Sequence, residues 1–441
     1  QWFSFISNRK VLTVGVSASM LIAVPAQLLV KGWDDHNRQN DTFARDFAKG
    51  YLDSCPPNTI LITNGDNMTF PLWYLQEVEN YRTDVRVVNF DQLTLDWYIE
   101  KLKLTMNTSK GIKISLPKHI YKRGPQEVLS LQKETNQPVN LDLLFQFLAN
   151  PKSAKTIYNK QIHYMPSDMF SVSVDTLQFA KQLNTDKLQL KFIDKINWKY
   201  SKDIYGINDL SVLNIVQENI NERPIAFAIN GNTNHYVGLK QFTIQKGMVE
   251  LLAPVIRAKN GLNPKIVDTE TSYNLFKEDI QFKDFIHTDA FIDYENRAYA
   301  QQILRRNYYF LAQALLEENQ VEKAKDILDT SIQSFPNATV LFKQYAFAIG
   351  KLYFRTNAPQ KGEEICLTAI KNLKEELEWL ISFNPPNPII NVRYANRLKT
   401  MYIQMIHQFS DLNLEKGNTL KEEAKAIEVR FQKWYNTNWP Y

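Results

Sequence analysis

The stretch Thr59–Asp91 decides the fold, and it runs TILITNGDNMTFPLWYLQEVENYRTDVRVVNFD. Ile60–Thr63 is a short apolar run rich in β-branched residues, which is typical of a strand buried on both faces. Asn64–Asn67 then interrupts the run with residues that favour turns. The spacing of the next apolar residues predicts a helix capped by Thr69, and Asp84–Asn89 predicts a second strand. Together these elements predict a strand–helix–strand unit with two parallel strands and a right-handed crossover.

Polar residues follow each predicted strand at the point where it ends. Ligands of open parallel sheets bind just beyond the carboxyl ends of the strands. Pro224–Ile229 predicts a third parallel strand, so three polar strand ends are expected to meet at one edge of the sheet. We name this edge the strand-end rim and treat its residues as candidates for substrate or ligand binding: Asn64, Gly65, Asp66, Asn67, Asn89, Asp91, Asn230 and Asn232. The same residue types also build ordinary turns, so both interpretations remain open.

The opening stretch also resembles a known family. The resemblance rests on the runs Asn64–Glu77, Arg82–Val87 and Asp96–Ile99. They are similar to a bacterial family of membrane proteins that resembles protein O-mannosyltransferases, which are polytopic glycosyltransferases followed by a large soluble part outside the cytoplasmic membrane. The similarity covers that soluble part and the last membrane helix. Met68 stands where the family has an acidic residue, so a carboxylate role is not carried over to this position.

The resemblance implies a function for the chain. It implies the extracytoplasmic C-terminal part of a glycosyltransferase-like integral membrane protein of the bacterial inner membrane, which binds an acceptor or partner. A lipid-linked sugar would serve the full-length protein. The catalytic carboxylates known in such enzymes lie in an earlier loop that this sequence does not contain, so we assign no catalytic residue. The alternatives are a non-catalytic cell-envelope scaffold that binds proteins through helical repeats, and a hydrolase-like activity at the strand-end rim.

An apolar segment near the amino terminus predicts a membrane anchor. Val11–Val30 holds twenty residues without a charge, and at about 1.5 Å per residue a helix of this length spans a bilayer core of roughly 30 Å. Arg9 and Lys10 precede it, which predicts a cytoplasmic amino end and a periplasmic location for residues after about 31. A signal peptide cleaved before Gln27 is the alternative. The apolar run continues past that site, which favours the anchor.

Three polar residues follow the predicted anchor directly. Asp34, Asp35 and His36 form a juxtamembrane candidate that could hold a divalent cation or face lipid head groups, and the alternative is a helix that continues into water with solvated charges. Elsewhere the histidines are scattered singly, and neither Cys55 nor Cys366 has a partner at ligand spacing. We therefore predict no metal site and no cofactor, and leave a disulfide between the two cysteines open.

The middle of the chain carries weaker patterns. Prolines divide Lys110–Leu190 into short segments, which predicts an insertion that covers the sheet. The alternation of Ile196, Trp198 and Tyr200 predicts an edge strand. Asp209 is expected to cap a helix over Leu210–Asn219, and Met248–Pro254 predicts a strand that finishes the sheet.

Long amphipathic helices dominate the sequence from Tyr294 onward. Seven positions fit the 34-residue tetratricopeptide pattern, namely Tyr308, Leu311, Ala312, Leu315, Ala324, Leu328 and Pro336. A looser second unit follows, and two more helices are predicted near Val392–Phe409 and Leu420–Trp434. Such stacks expose a concave surface that binds peptides. The alternative is that these helices only pack on the preceding domain.

These observations predict an α/β domain with a small, mainly parallel sheet and flanking helices, followed by an all-α tetratricopeptide-like helical domain. The predicted divisions are a transmembrane helix and its flank over 1–31, the extracytoplasmic α/β domain over 32–290 and the helical domain over 291–441. The net charge of +5 is too small for a nucleic-acid partner. The expected partners are the lipid bilayer and a protein or peptide on the helical repeats.

Overall fold

The computed structural model describes residues 2–38, 41–122, 127–157, 160–177, 179, 192–255, 265–286, 292–383 and 392–438. The first part of the chain alternates helices with short strands. Its elements are α1 (Trp2–His36), α2 (Phe43–Ser54), β1 (Ile60–Thr63), α3 (Asp66–Glu77), β2 (Arg86–Asn89) and α4 (Asp96–Leu102). The predicted strand–helix–strand unit is therefore present.

The middle part supplies small strands and the rest of the main sheet. Its elements up to the third central strand are α5 (Lys118–Tyr121), β3 (Val128–Ser130), β4 (Val139–Asn140), α6 (Leu141–Ala149), β5 (Lys155–Ile157), β6 (Lys160–Ile162), β7 (Met169–Ser173), β8 (Lys195–Lys199), β9 (Ile204–Gly206), α7 (Ile207–Asn219) and β10 (Ile225–Ala228). They are followed by β11 (Thr243–Lys246), β12 (Val249–Leu252), β13 (Ile266–Val267) and α8 (Thr269–Asn274).

The main sheet has six strands in the order β13-β11-β12-β10-β1-β2. β1 lies between β10 and β2 and is parallel to both, with Ile60 opposite Ile225 on one side and Arg86 on the other. All residues of these three strands are buried, which explains the apolar runs in β1 and β10 and the two central valines of β2. The predicted third parallel strand is thus confirmed, and the three strand ends meet at one edge.

One expectation about this sheet was wrong. The predicted strand over Met248–Pro254 is present as β12, but it runs antiparallel to β10 and does not finish the sheet. β11 and β13 continue the sheet beyond it, and β13 is parallel to β11. The predicted edge strand over Ile196–Tyr200 is confirmed as β8, which pairs with β7 at the edge of a separate three-stranded sheet.

Both predicted helix caps also differ from the structure. The cap of α3 is Gly65, whose φ of 88° is a conformation that favours glycine, so α3 begins three residues before Thr69. Thr69 is buried inside the helix, and its Oγ1 donates to the Gly65 carbonyl at 2.9 Å. Asp209 lies in the first turn of α7, where its Oδ2 accepts the Gly206 N–H at 2.8 Å. Asp209 therefore stabilises the first turn of α7 as a residue of that turn and not as the N-cap.

The last part of the described chain is helical. Its helices are α9 (Tyr294–Tyr299), α10 (Arg305–Glu317), α11 (Val321–Ser334), α12 (Gln344–Tyr353), α13 (Pro359–Ser382), α14 (Val392–Ser410) and α15 (Leu414–Asn438). Consecutive helices pack in pairs, α10 with α11, α12 with α13 and α14 with α15. The large and small apolar residues of the predicted repeat pattern, including Tyr308, Leu311 and Ala324, are fully buried. Their relation to tetratricopeptide repeats stays a prediction.

The helical part packs closely on the sheet part. Phe285 lies 5.3 Å, centroid to centroid, from both Phe43 of α2 and Phe335 at the end of α11. The sheet part also contains a buried ion pair, in which Lys265 Nζ contacts Glu250 Oε1 of β12 at 2.9 Å. The Lys265 ammonium also lies 4.7 Å from the Phe310 ring centre on α10. The sheet and the first helical pair therefore share one core.

The cysteines and histidines do not assemble into a reactive centre in the described part of the chain. Cys55 and Cys366 are free thiols, and burial raises the pKa of each to about 12. The rings of His119 and His163 lie 5.1 Å apart, a pairing that the sequence did not indicate. Burial, followed by the neighbouring His119, lowers the pKa of His163. His287 lies outside the described residues, and the residues inside them form no group of three or more metal-ligand side chains.

Candidate functional site

The sequence predicts a candidate binding site at the strand-end rim. The Asp91 carboxylate accepts the Gly65 N–H at 2.9 Å and the Asn64 side-chain amide at 2.9 and 3.0 Å. The Asn230 amide donates to the Asn64 carbonyl at 3.2 Å, and its own Oδ1 accepts the Asn232 N–H at 2.9 Å. The polar residues that follow β1, β2 and β10 therefore converge, as the parallel order of the strands requires.

A second layer of hydrogen bonds lies beneath the rim. Asn89 is fully buried, and its Oδ1 accepts the backbone N–H groups of Asp91 and Gln92. Its amide donates to Thr69 Oγ1 at 3.0 Å, and Thr69 in turn contacts Thr63 Oγ1 at 2.8 Å. These contacts join the ends of β1 and β2 to α3. The rim is thus built from side chains that bond one another and the turns, and its role in ligand binding stays a prediction.

Two predicted rim residues do not join this network. Asp66 and Asn67 are exposed at the start of α3, where they border a shallow groove of about 290 Å³ together with Phe43, Phe47, Phe70, Glu295 and Tyr299. The Asn67 amide donates to Glu295 of α9 at 2.7 Å. Within the described part of the chain, no hydrogen bond or ion pair is found for the Asp66 carboxylate. Asp66 therefore neither caps α3 nor shares a cleft with Asp91 or Asn230.

This difference predicts unequal effects on stability for two substitutions. Asp91→Ala removes the acceptor for Gly65 and Asn64, so we expect it to lower the free energy of unfolding by about 1–2 kcal/mol. Asp66→Asn removes no described contact and should leave the melting temperature nearly unchanged. Urea denaturation of both variants measures the difference. A loss of stability in Asp66→Asn equal to that in Asp91→Ala would make Asp66 a turn-building residue.

The juxtamembrane candidate is only partly described. The side chains of Asp34 and Asp35 lie outside the described part of the structure, although both residues belong to α1. His36 is exposed at the end of α1, and its Nδ1 is 2.8 Å from the Gly32 carbonyl oxygen, one helical turn earlier. A cation or head-group role for these three residues stays a prediction.

A pocket beside β2 was not predicted from the sequence. It has a volume of about 500 Å³ and lies between α3 and α4, next to the edge strand of the main sheet. We call it the tryptophan pocket, because Trp73 and Trp97 line it together with Phe70, Tyr98 and Arg86. All five belong to the runs that carry the family resemblance. Their aromatic character was the available signal, but a single sequence gives no means of telling a pocket wall from a core.

Comparison with known proteins identifies a family for part of the chain. The family model of TMEM260-associated domain 2 matches residues 44–271, slightly more than half of the chain. This range contains the strand-end rim and the tryptophan pocket and ends before the helical part. No curated protein and no solved structure matches the chain. Since the match covers more than half of its residues, the chain belongs to the TMEM260-associated domain 2 family, which is a glycosyltransferase-like, protein O-mannosyltransferase-like family of membrane proteins.

Proposed function

We propose that this chain is the extracytoplasmic C-terminal part of a bacterial protein O-mannosyltransferase-like membrane protein, and that its helical part binds the protein acceptor or a partner. In this proposal α1 anchors the chain in the inner membrane, and residues after about 31 lie in the periplasm. Family membership supports the enzyme class. The positively charged Arg9 and Lys10 before the apolar helix support the orientation.

A groove across the helical part carries the proposal for acceptor binding. It has a volume of about 660 Å³ and is formed by α9, the π-helical segment Ala300–Leu304, α10, α12 and α14, with Gly231 from the loop after β10 at its border. We call it the basic groove, because it is lined by Arg297, Arg306, Lys343 and Arg397, whereas no Asp or Glu is among its described lining residues. Paired helices of this kind form extended concave surfaces that bind peptides.

The charges of the basic groove favour an acidic peptide segment. Lys343 contacts Glu376 at 2.7 Å and is therefore largely neutralised. In the described part of the chain no ion pair is found for Arg297, Arg306 or Arg397, and Arg297 and Arg397 are exposed. Arginine presents several donors in a fixed planar arrangement that matches carboxylates. An extended peptide that carries Asp or Glu would supply the missing negative charge.

Tyrosines add apolar contact area to the same groove. Tyr294 is 81% exposed and Tyr394 is 39% exposed, and both line it together with Tyr345. Tyrosine contributes large contact area at a low cost in side-chain entropy. The groove therefore combines cations for specificity with aromatic surface for affinity.

A peptide-binding measurement tests the proposal. A fluorescently labelled Glu-rich peptide is titrated with the purified chain, and a Lys-rich peptide of equal length serves as the negative probe. Arg297→Glu/Arg397→Glu should raise the dissociation constant for the Glu-rich peptide by at least about tenfold, because two attractive charges become repulsive. Lys433→Glu, an exposed charge reversal on α15 outside the groove, is the control and should have little effect. Equal effects of the groove and control variants would contradict the proposal.

The same variants separate the two roles that the family suggests. If the groove holds the acceptor, Arg297→Glu/Arg397→Glu should lower sugar transfer to envelope proteins in cells that express the full-length protein. If binding is lost while sugar transfer stays normal, the alternative function as a cell-envelope scaffold is favoured.

A further inference from the structure

The tryptophan pocket has the size and position of a small-molecule site. Its volume of about 500 Å³ falls within the range of ligand pockets. One wall is formed by α3, the opposite wall by α4, and β2 lies between them. β2 is the edge of the six-stranded sheet, so no further strand covers this side in the described fold. The basic groove shares no lining residue with this pocket, so the two sites can be tested separately.

Two aromatic residues of the pocket are exposed to solvent. Trp97 is 57% exposed and Phe70 is 49% exposed, although both face a pocket that also contains Trp73 and Tyr98. The Phe70 and Trp73 rings stack with their centres 5.5 Å apart, and the Trp73 and Tyr98 centres are 6.4 Å apart. Phe70 and Trp97 are thus exposed rings that adjoin the half-buried Trp73 and the buried Tyr98, and an exposed apolar patch of this kind marks a binding site more often than scattered apolar residues do.

Flat ligands and sugar rings both suit such a surface. Aromatic faces carry partial negative charge and attract the C–H groups on the flat side of a pyranose ring. Polar side chains next to the rings would bond the sugar hydroxyls, and the pocket offers Glu77 and Asn107 for this purpose. Asn107 donates to Glu77 Oε1 at 3.2 Å, which orients both groups. The mixture of rings and paired polar groups favours a saccharide over a purely apolar ligand.

Arg86 adds a positive charge that no carboxylate contacts within the described part of the chain. Its side chain lines the pocket, although the residue is only 4% exposed, and its Nη2 donates to the carbonyls of Lys101, Leu102 and Leu104 at 3.0–3.2 Å. Its Nη1 is enclosed and has no hydrogen-bond partner in the described part of the chain. Burial lowers the pKa of this guanidinium.

The other charges around the pocket leave it net positive. Lys101 lines it as a second cation, and Glu77 is the single acidic residue among its described lining residues. A buried cation without a bonded carboxylate is costly, and an anionic ligand would reduce that cost. Guanidinium groups bind phosphate and carboxylate oxygens well because their donors match the spacing of these oxygens.

We propose that the tryptophan pocket binds an anionic saccharide, that is, a sugar that carries a phosphate or a carboxylate group. Trp97 and Phe70 contact the flat face of the sugar ring. Arg86 and Lys101 face the negative group, and Glu77 with Asn107 bonds the hydroxyls. This assignment rests on the pocket alone and does not depend on peptide binding in the basic groove.

Calorimetric titration of the purified chain with four probes tests this assignment. Glucose 6-phosphate and glucuronate carry both features, glucose lacks the charge, and inorganic phosphate lacks the ring. At least one of the two anionic sugars should bind about tenfold more tightly than both glucose and inorganic phosphate. Tighter binding of glucose 6-phosphate would identify the negative group of the ligand as a phosphate, and tighter binding of glucuronate would identify it as a carboxylate. Absence of binding by both anionic sugars, or equal binding of glucose or phosphate, overturns the assignment.

Matched variants connect binding to the pocket. Trp97→Ala should weaken the anionic sugar by about tenfold or more without lowering the melting temperature, since this side chain is mostly exposed. Trp379→Ala is the control, because Trp379 on α13 is 59% exposed and lies outside the pocket. Arg86→Met tests the charge, and exposed Lys101→Gln replaces it if Arg86→Met does not fold. Binding unchanged in Trp97→Ala, or equally weakened in Trp379→Ala, overturns the assignment.

Discussion

Replacement of Lys265 by methionine is expected to lower the free energy of unfolding by about 3–5 kcal/mol, because it leaves a buried carboxylate without its partner. Glu250 is 1% exposed on β12, and its Oε1 lies 2.9 Å from Lys265 Nζ. Burial opposes ionisation of Glu250, but Lys265, with smaller contributions from Lys240 and Tyr236, holds the pKa of Glu250 below its ordinary value. Burial lowers the pKa of Lys265 to about 8, so the lysine is still charged near neutral pH.

The pH dependence of this variant follows from the same charges. Without Lys265, burial dominates and should raise the pKa of Glu250 in the folded state above its value in the unfolded chain. A carboxylate with a raised pKa in the folded state destabilises the protein increasingly as pH rises, because folding then requires uptake of a proton. In the parent protein the pKa of Glu250 is lowered in the folded state, so its carboxylate stabilises the protein at pH values above the ordinary pKa of glutamate. This contribution is lost as the pH falls from that ordinary pKa through the lowered pKa. The difference in stability between parent and variant should therefore be larger at about pH 7 than at about pH 5.

Urea denaturation provides the measurement and allows two controls. The double variant Glu250→Gln/Lys265→Met removes both charges and should recover a large part of the lost stability. Lys371→Met removes one partner of an exposed pair, Lys371 and Glu375, whose side chains are 72% and 62% exposed, and should change stability by less than about 0.5 kcal/mol. A loss below about 1 kcal/mol in Lys265→Met would show that water or local rearrangement already compensates Glu250.

The central strands were predictable because their own residues are apolar, as burial on both faces requires. Ile60–Thr63 and Ile225–Ala228 are buried on both faces, which requires the continuous apolar runs seen in the sequence. β11 was missed because Thr243–Lys246 contains a single large apolar residue. Gln245 is fully buried there, and its amide donates to the Gly247 carbonyl at 3.1 Å. A polar side chain whose partner is supplied by a turn gives no signal of burial in the sequence.

Thr69 shows why local capping rules were insufficient in the most informative stretch. A threonine two residues before proline is a reasonable cap, but Gly65 adopts a positive φ and starts α3 earlier. Thr69 then faces the sheet and bonds Thr63 and Asn89, two residues from neighbouring strands. Its role therefore depends on the strand order, which becomes fixed only in the tertiary structure.

One candidate site was predictable from the sequence and the other was not. The convergence of Asn64, Asp91 and Asn230 followed from the parallel order of three strands, which the sequence predicts. The tryptophan pocket depends on how far Trp73 and Trp97, on two different helices, remain exposed after packing. No periodicity distinguishes a tryptophan in a core from one in a pocket wall. The ion pair of Glu250 with Lys265 likewise gave no signal, because Glu250 lies inside an apolar run.

Removal of the apolar helix should change the location of the whole chain. The segment Lys10–Trp33 spans 24 residues with a mean hydropathy of 1.8, and none of its most apolar window is buried in the protein. Its large apolar side chains are exposed, for example Leu21 at 74% and Ile22 at 72%. Such a surface is stable in a bilayer and not in water. The full chain should therefore sediment with membranes until detergent is added, whereas a chain without residues 1–33 should be soluble.

Point substitutions test the same anchor without shortening the chain. Leu21→Lys/Ile22→Lys places two charges in the middle of the segment, each of which disfavours membrane insertion by about 2.5–3.5 kcal/mol. This variant should appear in the soluble fraction. Val429→Lys is the control, since Val429 on α15 is 71% exposed but lies far along the chain from the anchor, and it should remain with the membranes.

The fate of the amino terminus decides between an anchor and a signal peptide. An anchor keeps residues 10–33 attached to the mature chain, and protease added from outside should then digest the part after about residue 31 while the membrane protects the helix. A signal peptide would instead release a soluble chain that begins near Gln27. That outcome would remove most of the apolar segment and leave the sheet and helical parts free in the periplasm. Mass spectrometry of the mature amino terminus, combined with protease accessibility in spheroplasts, measures both properties in one preparation.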